Sequence, residues 1–160
     1  KSGWVLENGA LTGNDNPNAD PEILVAIGEL ATSIGAADIT EIEFITTAFD
    51  VSDGGTLQVR VRFNEAVDVT GTPQLTVVND SRANHTLSYA SGTGSNELVF
   101  SLTIAAGGGG VIAADDELSI GANATALNGG TIKDKGTNTA STITNAAGVG
   151  TAAGTITAVA

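Results

Sequence analysis

Cysteine and methionine are absent from this 160-residue sequence, histidine occurs once, proline three times, and the aromatic residues are one Trp, one Tyr and four Phe. Without cysteine there is neither a disulfide framework nor a thiolate metal site. So few aromatic rings leave little from which to build a sugar-binding platform, so the carboxylate pairs Glu41/Glu43 and Asp115/Asp116/Glu117 do not read as a glycosidase site. No run of about twenty apolar residues occurs, and no membrane-spanning helix is expected. The sequence starts Lys1-Ser2-Gly3-Trp4 and continues at once into polar and acidic residues, which is not the pattern of a signal peptide. Basic residues are also scarce. A formal charge of −12 argues against binding nucleic acid or an anionic membrane surface.

What is present is glycine, at 21 positions, and a charge that is unevenly placed. Residues 1–55 hold ten acids and one base, while residues 56–160 hold eight acids and five bases. The acidic field therefore lies over the first third, which reads as a solvated arm or as an arm that docks on a basic partner surface. After Lys135 there is no charge for 25 residues.

Periodicity divides the chain. Asp20-Pro21 suits a helix start, and Ile23, Leu24, Ile27, Leu30, Ala31 and Ile34 recur at helical steps before Gly35, so the pattern predicts an amphipathic helix over about 21–34 inside an arm of residues 1–38. Gly28 in its middle costs about 1 kcal/mol against Ala. From residue 39 the period becomes two. Ile42 and Phe44 alternate with Glu41 and Glu43. Leu57, Val59, Val61 and Phe63 alternate with Gln58, Arg60, Arg62 and Asn64. Opposite charges on these two outer faces are placed to pair across the sheet. Further strands are predicted at 74–79, 85–90, 97–104, 117–121, about 130–133 and 155–159, with Leu98, Phe100, Leu102 and Ile104 as a second inward row. Short strands at regular spacing indicate an all-β, antiparallel sandwich over 39–145, with an uncharged strand or tail over 146–160. That tail has strand formers but no gatekeeping charge, so Thr155 to Val159 is expected to pair with a β-edge, at home or on a neighbour.

The stretch from Phe63 through Asn64-Glu65-Ala66-Val67-Asp68-Val69-Thr70-Gly71-Thr72-Pro73-Gln74 to Leu75 is followed in order by Tyr89-Ala90-Ser91-Gly92-Thr93-Gly94, Leu98-Val99-Phe100-Ser101-Leu102 and Leu127-Asn128-Gly129-Gly130-Thr131-Ile132-Lys133-Asp134. This series resembles the bacterial immunoglobulin-like β-sandwich repeats of large cell-surface proteins, which also occur as single copies in structural proteins of tailed phages. The resemblance covers about 39–145. It implies a non-enzymatic structural module on a virion surface, such as a capsid decoration protein, whose partners are capsid or other virion proteins and copies of itself. The alternative it implies is a module of a bacterial surface adhesin or extracellular fibrous protein, with carbohydrate binding through end loops.

No catalytic residue and no cofactor is assigned. His85 lies in a polar run with no nucleophile context and reads as a surface loop or strand-start histidine. Gly107–Gly110 lacks the Lys-Ser/Thr of a phosphate loop, and the Gly148–Gly154 run has the wrong spacing for a dinucleotide fingerprint, so both read as flexible connections. Asn14, Asn16, Asn18 and Asp20 alternate like calcium-loop ligands but lack the glycine and glutamate such a loop needs. Asp50, Asp53 or Asp115 to Glu117 are the remaining oxygen donors for a weaker cation site, and no metal centre is assigned to them. The residues expected to contact another subunit are Ile23, Leu24, Ile27, Leu30, Ile156 and Val159.

Overall fold

The computed structural model describes residues 35–160 in full and the backbone of two strands nearer the start. Those two are β1 (Ser2–Val5) and β2 (Ile23–Ile27), paired antiparallel. The chain divides into two compact units, Lys1–Ile34 and Gly35–Ala160. The helix expected over 21–34 is therefore corrected at its centre, where Ile23–Ile27 is a strand. Five consecutive apolar residues, three of them β-branched, are ambiguous between the two periods, and pairing with β1 decides for the strand. Positions 21, 22 and 28–34 lie outside the described residues.

The β-domain, Gly35–Ala160, contains β3 (Ile39–Phe44), β4 (Phe49–Asp50), β5 (Gly55–Thr70), β6 (Gln74–Asn79), β7 (His85–Ser91), β8 (Ser95–Ile104), β9 (Glu117–Ser119), β10 (Thr125–Ala126), β11 (Thr131–Asp134), α1 (Ala147–Thr151) and β12 (Ile156–Val159). They form a curled sheet in the order β11-β5-β8-β7-β6-β9-β12-β4, with β3 also on β5 and β10 also on β6. The fold is all-β, as expected. It is not wholly antiparallel, because β12 runs parallel to β4, pairing Ala158 with Phe49 and Val159 with Asp50.

The organising element is β5, whose sixteen residues pair with β8 on one edge and with β3 and then β11 along the rest. Its alternation carries the core: Leu57, Val59, Val61, Phe63 and Val67 are buried, as are Leu98 and Phe100 on β8. Leu102, expected in the same row, is only half-buried against that core. Leu75, Val77, Leu87, Leu118, Ile120 and Ile132 also belong to it, and Tyr89 meets Phe100 edge-on with ring centres 6.1 Å apart. Burying a residue such as Phe100 contributes about 1.5–3 kcal/mol.

The domain begins before the expected boundary at 39. Ala37 is fully buried, and Asp38 exchanges two bonds with Asn64, its amide reaching Asn64 Oδ1 at 2.8 Å and its carbonyl accepting the Asn64 amide at 3.0 Å. At the other end, the glycine run read as a flexible connection contains α1. Gly150 there is buried so close to the Ile120 and Gly121 carbonyls that an added Cβ would stand 2.4 and 2.5 Å from their oxygens. Only glycine permits that approach.

Candidate functional site

Alternation on β5 places Arg60 and Arg62 on the outer face, opposite Glu43 and Glu41 of β3 in direct register, with Glu97 of β8 across the other edge. Arg60 Nε donates to Glu43 Oε1 at 2.6 Å. Arg62 donates to Glu41 Oε2 and Glu97 Oε1, both at 2.8 Å. Glu41, ahead of Glu97, raises the Arg62 pKa above its ordinary value. All five side chains are 31–48% exposed, so each pair is worth no more than about 1 kcal/mol. The cross-strand pairing expected from the sequence is present, and it spends this face's charges on one another.

A second polar group lies at the β6–β7 turn. His85 does open β7 but is 4% exposed, which corrects its reading as a surface residue, and Asn79 and Asp116 lie alongside it. Asn79 Oδ1 accepts the amides of Ser81 and Arg82 at 3.0 and 2.9 Å, and its Nδ2 donates to Asp116 Oδ2 at 3.0 Å. The same carboxylate oxygen accepts the Ala113 amide at 3.0 Å and meets Arg82 Nε at 3.0 Å. Asp80 ties the turn to β9 by accepting the Glu117 amide at 2.9 Å. Hydrogen bonding from Asn79, above all, lowers the Asp116 pKa. Burial lowers the His85 pKa, and the nearby Asp116 charge opposes that shift. His85 Nε2 lies 3.4 Å from Asn79 Nδ2. The group clasps the 80–84 turn to the loop before β9.

Beside the clasp is a cavity of about 350 Å³, lined among others by His85, Leu102, Ile104, Gly108 and Val111. Val111 is 48% exposed at its rim. The four glycines of this loop are ordered in the left-handed region, with φ of 77°, 69°, 54° and 78° from Gly107 to Gly110, and Gly108–Gly110 forms a 3-10 turn. A side chain would be strained at each.

Of the alternative cation donors, Asp50 and Asp116 serve the backbone. Asp50 Oδ1 accepts the Ser52 amide at 2.8 Å and hydroxyl at 2.7 Å, and these turn bonds lower its pKa. Among the described residues no group of three or more His, Cys, Asp or Glu converges. Among the described residues, Thr125 Oγ1, Asp134 Oδ2 and Ser141 Oγ are buried with no hydrogen-bond partner shown.

Of the six expected contact residues, Ile156 is 3% exposed inside its own domain's core, which removes it from the contact surface, while Val159 is 51% exposed. Pairing of β12 with β9 and β4 places the uncharged strand in its home sheet. Ile23, Leu24 and Ile27 are on β2, whose side chains lie outside the described residues, as does Leu30. No helix among the described residues is long and apolar enough to cross a membrane. Comparison with family models, curated proteins and solved structures finds no match.

Proposed function

We propose that the chain is a non-enzymatic structural protein, a virion subunit such as a capsid decoration protein, in which an immunoglobulin-like β-domain projects from a shell and the arm makes the attachment. The observation that carries this reading is where the β-domain starts and stops. Its first residues bond at Asn64 and Thr137, with the Thr137 hydroxyl donating to the Gly35 carbonyl at 3.1 Å, whereas its last strand bonds at Val51 through the Val159 carbonyl at 2.8 Å. Gly55 and Asn64 are nine steps apart on β5, or about 30 Å of strand. Within the β-domain the first residue thus lies toward one end of β5, and the glycine loop, whose Gly107 amide reaches the Val51 carbonyl, lies toward the other. The polar groups described above are committed to holding strands and turns, which suits a load-carrying part better than a reaction centre. Its partners are virion proteins and copies of itself, with neither nucleic acid nor membrane.

The same path favours a second reading. A chain that enters one end of a β-domain and leaves at the other can be joined in line with further modules, as in a bacterial surface adhesin or extracellular fibre. Electron microscopy of the native particle distinguishes the two. The proposal expects density for the β-domain at regular lattice positions on a phage head, and recovery of the chain as a fragment of a giant surface protein overturns it.

A further inference from the structure

His85 carries a hydrogen-bond donor that the protein does not use. Asn79 Oδ1 accepts the Ser81 and Arg82 amides, so the nitrogen end of that side chain, Nδ2, is the one that meets Asp116 and His85. An amide nitrogen donates and does not accept. His85 Nε2, at 3.4 Å from it, is therefore the acceptor, and the proton of the neutral ring sits on Nδ1. Burial favours the neutral ring by lowering its pKa. Among the described residues Nδ1 has no partner, although the side chain is 4% exposed.

The same ring lines the cavity beside the clasp, and the sheet itself makes that cavity. The ladder between β7 and β8 stops at Ser88–Ser101. Past it, the start of β7 and the end of β8 line about 350 Å³ of open space together with the glycine loop. Leu102, Ile104, Gly108 and Val111 supply apolar wall, and Thr86 and Thr103 add hydroxyls from the two strands. Among the described residues no Asp, Glu, Lys or Arg belongs to the lining. The half-buried Leu102 and the exposed Val111 leave the space open to solvent.

From this geometry we infer that the cavity binds a small uncharged molecule with an apolar body and a carbonyl or ether oxygen, which accepts a hydrogen bond from His85 Nδ1–H. A mostly apolar pocket with one placed polar group is the common form of a small-molecule site, and this volume lies at the low end of that range, so one ring or a short chain fills it. A charged ligand would lose its water without gaining a counter-charge. Water can serve Nδ1–H but gains little from the apolar walls, so an oxygen carried on an apolar body replaces it favourably. The site adds a ligand to the structural role proposed above and does not depend on which assembly the protein serves.

The test uses the full chain labelled with ¹⁵N, with cyclohexanone as the probe and cyclohexylammonium chloride as its charged counterpart. The single histidine gives one pair of ring nitrogen signals, and they are expected to show the proton on Nδ1. Cyclohexanone should shift that signal and the Thr86, Thr103, Gly108 and Gly109 amides together and saturably, with a Kd on the order of 1 mM for so small a probe. Ala105→Trp places a large side chain in the lining from an exposed position, outside the clasp, and should abolish those shifts while the rest of the spectrum stays that of the folded protein. A proton found on Nε2 would overturn the inference. So would the absence of saturable shifts at these amides, equal shifts with cyclohexylammonium, or shifts that persist in A105W.

Discussion

The ladder of Arg60, Arg62, Glu41, Glu43 and Glu97 and the clasp of Asn79, Arg82, His85 and Asp116 contain similar side chains in opposite settings. In the ladder every group is 31–48% exposed, and water solvates whatever the partners leave unsatisfied. In the clasp Asn79, His85 and Asp116 are each 4% exposed, so a lost bond has no solvent replacement. Similar chemistry is therefore dispensable in one place and structural in the other, and what separates them is access to water rather than the number of charges.

The strongest way to break the comparison is to remove the core that lies under the ladder. Phe100→Ala, on the buried face of β8, is expected to cost about 3–5 kcal/mol in urea unfolding, far more than any change to the charged face above it. Next comes Asn79→Ala, which strands two turn amides, removes one donor to Asp116 and is expected to cost about 1–3 kcal/mol by the same measurement.

Acid sharpens the contrast further. Burial lowers the His85 pKa below its ordinary value of 6.5, so the unfolded chain takes up that proton first, and stability is lost as pH falls from about 6.5 toward the folded value. Asp116 and Asp134 also have lowered pKa values, and their contribution disappears only as pH falls below the ordinary carboxylate range. A plot of Tm against pH should thus decline in two stages, and His85→Gln should flatten the first while leaving the second. The smallest effect is expected in the ladder itself. Glu43→Gln should cost less than about 1 kcal/mol, and high salt should shrink even that difference, since exposed pairs are screened.

Much of the sheet is legible from period-two alternation. The strands at 74–79, 85–90 and 97–104 appear within two residues of where the pattern puts them, and Glu41, Glu43, Arg60 and Arg62 pair as their alternation implies. Legibility fails where a residue's environment comes from distant chain. His85 sits among polar neighbours in sequence, yet it is buried, and the charge that acts on it belongs to Asp116, thirty-one residues on. Asp134 comes opposite Val67 only because β11 adds to the far end of β5, a pairing that neither local pattern announces. The short strand Phe49–Asp50 gives no period to read, and its parallel partner β12 is more than a hundred residues away. In Ile23–Ile27 the apolar run is too uniform for period to distinguish helix from strand.

On the proposed reading the β-domain, Gly35–Ala160, folds by itself with its last strand at home, and the arm serves attachment rather than folding. The most direct measurement compares urea unfolding of residues 35–160 with that of the full chain. A single cooperative transition at nearly the same midpoint, with the β12 amides protected from hydrogen exchange in both, is the predicted result. A fragment that is unfolded, or that protects those amides only on association, would contradict it.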